Sequence, residues 1–173
     1  MRSVWRRDSA VQAWAVAGVV FLFAEAAWRL ALRGVDAVRG GLTPFEWLAL
    51  VLLTAAFVYG EGVRALQRRW VPYVLARIQR LRAERRLRYH LAAPLYAMSL
   101  IGPPRAAVVR AWAGVAAIIS AVLIVSRLPD PWRGIVDSAV AAALVWGASA
   151  LLYGAGRAFR DRNTEGPDGI REP

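Results

Sequence analysis

Charged residues along this chain are sparse and clustered, and between them run four apolar stretches at 9–24, 47–60, 111–126 and 138–156. A helix crossing a hydrocarbon core of about 30 Å needs roughly 20 apolar residues, a length that only the last stretch reaches unaided. The other three reach it by recruiting neighbours. The first continues through Ala26, Ala27 and Trp28 past Glu25, the second runs from Phe45 to about Leu66, and the third starts at Ala106 with Arg110 extending toward the interface. The pattern predicts spanning helices over about 10–31, 44–66, 106–127 and 134–159. A soluble bundle would need a polar stripe on each helix, and 139–152 has none. The predicted fold class is therefore all-α: a polytopic membrane protein with one four-helix domain over 1–160. The polar tail 161–173 carries the breakers Gly166-Pro167 and Asp168-Gly169 and is expected to be disordered.

The connection 67–105 is the one sizeable stretch outside these spans. Pro72 suits a first helical turn, and Val71, Val74, Leu75, Ile78 and Leu81 then share one face at helical periodicity. The segment 91–102 is apolar but too short to span. Both parts are expected to lie on the membrane surface as an interfacial basic helical connection. Arg77, Arg80, Arg82, Arg85, Arg86 and Arg88 would then face lipid, with anionic headgroups as partners.

Composition sharpens this picture. The chain has 173 residues, 58% of them hydrophobic, and a formal net charge of +11. Every basic residue is arginine. Because the arginines flank apolar runs rather than coat a soluble fold, a nucleic-acid partner is not expected. Basic residues near the ends of spanning helices stay cytoplasmic. With both termini inside, 18 arginines fall on the cytoplasmic side and five (Arg29, Arg33, Arg39, Arg127 and Arg133) on the other. Trp28, Trp47 and Trp132 would form an outer aromatic belt, Trp5, Trp70, Tyr73 and Trp112 an inner one, and Trp146 would pack inside the bundle. Arg6-Arg7 before an apolar run ending in Ala24-Glu25-Ala26 resembles a secretory signal. Trp28 and Arg29, which look like an interfacial stop, favour a retained span.

The candidate chemistry is thin. Without cysteine there is no thiolate nucleophile, no disulfide and no sulfur-ligated metal site. His90 is the single imidazole and sits beside an arginine run, so no nucleophile–base–acid set assembles and no catalytic residue, metal or cofactor is expected. Glu25 stands 15 positions after Ala10, roughly 22 Å along the helix, which places it in the outer third of the core. A carboxylate there either pairs with Arg29 one turn later or faces a cavity. Asp137 repeats the acid–arginine spacing one turn after Arg133, and Ser120 lies at a similar depth, so Glu25, Arg29, Asp137 and Ser120 form a candidate intramembrane polar site. Glu61, between Gly60 and Gly62, is a candidate site at the inner end of the second span. Glu46 follows Thr43-Pro44 as a helix start. Ala113, Ala117 and Ala121 on the third helix, and Ala143 and Gly147 with Ala139 on the fourth, recur every four positions as helix-packing ridges.

Four short spans with an internal basic loop look like the small membrane subunit of tripartite periplasmic transporters. A glutamate in the first of four helices looks like the proton-coupled small-efflux proteins. Neither layout brings a matching motif, so no residue role is carried over. The functional expectation is an integral inner-membrane protein of a bacterium, most simply a non-enzymatic accessory or scaffold subunit that packs against other membrane proteins or itself. The alternative is a small transporter or channel that uses intramembrane carboxylates for proton or cation handling.

Overall fold

A computed structural model of the chain describes residues 2–81, 87–102 and 104–164, with side chains described over 10–81, 87–102 and 104–160. The architecture is all-helical and contains no strand among the described residues. In chain order, α1 (Arg2–Arg39) is followed by α2 (Pro44–Phe57), a π-helical stretch (Val58–Trp70) and α3 (Val71–Arg80). The short helices α4 (Leu87–Leu91) and α5 (Ala93–Ala97) precede α6 (Arg105–Val125) and α7 (Trp132–Thr164). Four helices are long and apolar enough to cross a membrane: Ala10–Arg39, Pro44–Arg80, Arg105–Val125 and Trp132–Arg160.

Local chemistry explains the element starts. Thr43 caps α2 by accepting from the Glu46 backbone amide, while the Glu46 carboxylate accepts from the Thr43 amide at 2.7 Å, and Pro44 fills the first turn. This reciprocal box is the start expected from the sequence. From Val58 the backbone widens from α to π geometry across Gly60, Glu61 and Gly62. Such stretches are uncommon and recur at functional sites. Several boundaries differ from expectation: α1 covers Arg2–Arg39, the second apolar helix runs on past 66 to Arg80, and α7 continues to Thr164, into the tail expected to be disordered. The remainder of that tail, 165–173, lies outside the described residues.

Helix α7 is the centre of the bundle, packing along α1 on one side and along α2 and the π-stretch on another. Small residues set these crossings. A Cβ on Gly134 would collide with Ala37 and with the Arg33 carbonyl, and one on Gly147 would strike Leu66. The ridge predicted on α7 is therefore real: Ala139 and Ala143 are buried and Gly147 lies against the π-stretch. Trp146 lies across Gly62 and donates from Nε1 to Gln67 Oε1 at 2.8 Å, but it remains half exposed rather than enclosed.

The ridge predicted on α6 behaves differently. Ala113, Ala117 and Ala121 are exposed, no part of the helix's most apolar window is buried, and α6 shares no extensive contact with any other described element. Among the described residues these alanines pack tightly against no other helix. A tether near the N-terminal end of α6 does hold it: the Trp112 indole donates to the Leu100 carbonyl at 3.2 Å.

The connection is also corrected. The apolar stripe Val71, Val74, Ile78 and Leu81 is buried against α1, α7, Tyr89 and the α5 segment, so the chain itself covers the face expected to meet lipid. Arg77 is buried as well, at 2% exposure, and its Nε donates to the Tyr96 carbonyl at 2.8 Å while Nη2 donates to the Ile101 carbonyl at 3.1 Å. Its guanidinium also stacks on the Tyr96 ring, 4.2 Å from the centroid. Arg77 is thus a structural clamp and not a lipid-facing residue. Arg80 and Arg88 are exposed, while Arg82, Arg85 and Arg86 lie outside the described residues.

Candidate functional site

The close crossing of α1 and α7 brings together groups that sit 104 positions apart in sequence, Arg33 and Asp137. Gly34 lies against Ser138 and Gly134 against the Arg33 carbonyl, so the two backbones approach where side chains would otherwise hold them apart. Asp137, buried on α7, then faces Arg33 of α1 at 3.7 Å and Arg133 of its own preceding turn at 3.9 Å. These are ion-pair distances, too long for hydrogen bonds. Accordingly Asp137 Oδ2 and Arg133 Nε are both buried without a hydrogen-bond partner among the described residues. Orphaned polar atoms of this kind are costly, and in native structures each calls for an explanation.

Two cavities meet at this cluster. A crevice of about 380 Å³ runs between α6 and the rest of the bundle, with Arg33, Arg133 and Asp137 toward one end and Glu61 on its wall. The rest of its lining is almost wholly apolar, including Leu30, Phe57 and Val140 opposite Ala117, Ala121 and Val122 of α6. Gly62 lies against Trp146, nine residues beyond Asp137, so Glu61 and Asp137 are separated along the bundle by roughly 12 Å. Glu61 forms no ion pair or hydrogen bond with a described residue. On the other side of the two arginines, a polar basin of about 710 Å³ is lined by Arg33, Arg133, Asp36, Glu46 and Asp130 together with the loop residues Gly40 and Gly41. Arg33 and Arg133 are therefore the shared wall between a polar basin and an apolar crevice.

The site expected from sequence is rearranged. Asp137 is at its centre, but Glu25 is not: its carboxylate accepts from Arg29 Nε at 2.6 Å, and the pair is 42% and 75% exposed on the outside of α1. Glu25 falls near the middle of the helix Ala10–Arg39, which continues past the end expected for it. Ser120 is exposed on α6 and donates to the Ala116 carbonyl of its own helix at 3.0 Å. Ser126, Ser138 and Ser149 back-bond in the same way, as serines in apolar helices do. Glu61 does join Asp137 on one cavity, a meeting that spacing along the chain could not reveal.

Arg33 is the residue that sequence reading misses. The Arg133–Asp137 spacing is a visible signal, but the third member arrives from another helix through the Gly34 and Gly134 contacts. A second, larger groove of about 850 Å³ between α1, α2 and α7 is lined mainly by small apolar residues such as Ala27, Ala31, Gly34 and Ala141 and carries no buried charge. Among the described residues, no group of three histidine, aspartate or glutamate side chains is placed to hold a metal. Comparison of the chain with protein-family models, with curated proteins and with solved structures gives no match.

Proposed function

We propose that this chain is a multi-pass protein of a bacterial cytoplasmic membrane and a non-enzymatic accessory or scaffold subunit that binds other membrane proteins. Both termini and the basic connection lie on the cytoplasmic side, a placement supported by the 18 to five division of arginines. The 24 α-helical residues of the spanning unit Pro44–Arg80 alone measure about 36 Å at 1.5 Å per residue, and the π-helical stretch adds to this, so one end must extend beyond a core of about 30 Å. Arg64, Arg68 and Arg69 mark the cytoplasmic end as the one that does.

The observation that carries the accessory role is α6. Its 21 residues are strongly apolar, it packs extensively against no other described element, and Ile119 and Leu123, which do not line the crevice, are exposed. Helices in lipid associate through van der Waals packing of such apolar faces. The second reading, a small transporter or channel for protons or cations, is favoured by Glu61 and Asp137 sharing one crevice. It is weakened by the two guanidinium groups at the same crevice, which oppose a cation there.

A photo-crosslinking residue placed at Ile119 or Leu123, both exposed on α6, tests the accessory role in native membranes. The expected product is an adduct of one defined mass with another membrane protein, or of twice the chain's mass if the partner is a second copy. Lipid adducts alone would contradict it.

A further inference from the structure

The junction of basin and crevice has a chemistry that neither the accessory role nor proton handling uses. On one side stand the carboxylates of Asp36, Glu46 and Asp130, on the other an apolar slot walled by α6, and between them two guanidinium groups. The Asp137 carboxylate is shared between the two guanidinium groups at ion-pair distance and hydrogen-bonds to neither, which leaves both arginines with donors to spare. A simple anion would satisfy Arg133 and be repelled by four carboxylates. A simple cation would meet the carboxylates and be repelled by two arginines. A single molecule carrying a phosphate, a primary ammonium and a hydrocarbon tail matches all three zones.

We propose that this junction binds one aminophospholipid. The phosphate lies on Arg33 and Arg133, where guanidinium groups give charge-assisted hydrogen bonds. The ammonium turns into the basin, where its N–H groups donate to carboxylates, and one acyl chain descends the crevice beside Ala117, Ala121 and Val140. The tail makes the source a membrane lipid and not a soluble phosphate, and the missing tight contact between α6 and the bundle gives it a lateral way in. The location agrees: the basin is built from the loops 40–43 and 127–131 at the ends of the apolar helices, the level at which headgroups sit. Basic pockets between spanning helices are a recurrent form of headgroup recognition. The acidic basin beside the basic pair is what selects an amine-bearing headgroup.

The inference rests on the membrane placement proposed above, and its test separates the two. The full-length protein in detergent micelles is mixed with equal amounts of phosphatidylethanolamine, phosphatidylcholine and phosphatidylglycerol bearing identical tails, and retained lipid is read by native mass spectrometry. The ethanolamine lipid is expected to exceed each of the others by about tenfold, the lower end of the effect of one additional charge-assisted hydrogen bond. Arg133→Gln is expected to remove that preference. Ala121→Phe, which fills the crevice from an exposed position on α6, is expected to reduce retention of the ethanolamine lipid while leaving thermal stability unchanged. Should Arg133→Gln fail to fold, Ala121→Phe alone decides the matter. Equal retention of the three lipids would overturn the headgroup assignment while leaving the membrane placement intact. A preference for the glycerol lipid would overturn it as well, since it would show a site for negative charge only. Displacement of bound lipid by free phosphoethanolamine as effectively as by the whole lipid would overturn the role of the tail.

Discussion

Gly134→Ala is expected to destabilise the protein by about 1–3 kcal/mol, the range of forced overpacking in a closely packed interior. The added Cβ would meet the Arg33 carbonyl at 2.9 Å and collide with the Cβ of Ala37. Neither atom can swing aside as the end of a long side chain would, so α1 and α7 must separate. That separation would also carry Arg33 away from Asp137, which joins stability and site in one substitution. Gly114→Ala is the matched control. Nothing lies within 4 Å of a Cβ placed there, so the change should be neutral or stabilise by about 0.5–1 kcal/mol through helix propensity. Thermal unfolding in detergent reads both. Equal behaviour of the two variants would show that the α1–α7 crossing does not depend on backbone approach at Gly134.

Arg77→Met is expected to have the second large effect. It would strip the Ile101 carbonyl of a donor and leave the Tyr96 carbonyl to the Ser99 amide at 3.0 Å, and a carbonyl left unpaired costs about 1–3 kcal/mol, so a loss of that size follows. The loss should be local. Arg77 joins the Tyr73 hydroxyl on Ser99 at 2.8 Å and the Trp112 indole on the Leu100 carbonyl in holding residues 93–102, so hydrogen exchange in that segment should rise while the centre of α7 stays protected. Arg77→Lys should restore only part of the protection, because an ammonium lacks the planar fork that reaches two carbonyls at once. Parental exchange rates in the methionine variant would refute the clamp.

Gly134 and Arg77 mark the boundary between what local pattern reveals and what it hides. Four apolar helices, the Thr43–Glu46 capping box and the small-residue ridge on α7 all follow from local pattern, because each depends on residues within a few turns of one another. The partner of an apolar face does not. The stripe Val71–Leu81 reads as amphipathic whether it rests on lipid or on α1 and α7, and periodicity carries no information about which. Arg77 reads as lipid-facing for the same reason: an arginine among arginines looks solvated until a carbonyl-rich turn is found beneath it.

The polar site divides along the same line. Glu25–Arg29 and Arg133–Asp137 are spaced one turn apart and are visible in the sequence as pairs. Arg33 and Glu61 reach Asp137's crevice from other helices, and only tertiary packing brings them there. Ala113, Ala117 and Ala121 repeat at the spacing of a packing ridge, yet among the described residues no other helix packs tightly against them.

Topology mapping tests most directly whether the chain crosses the membrane four times with the arginine-rich connection inside. Alkaline phosphatase, active only outside the cytoplasm, is fused after Gly41, Arg86, Pro129 and Arg162 of the full chain. Activity is expected after Gly41 and Pro129, with none after Arg86 or Arg162. An active fusion after Arg86 or Arg162 would contradict that topology.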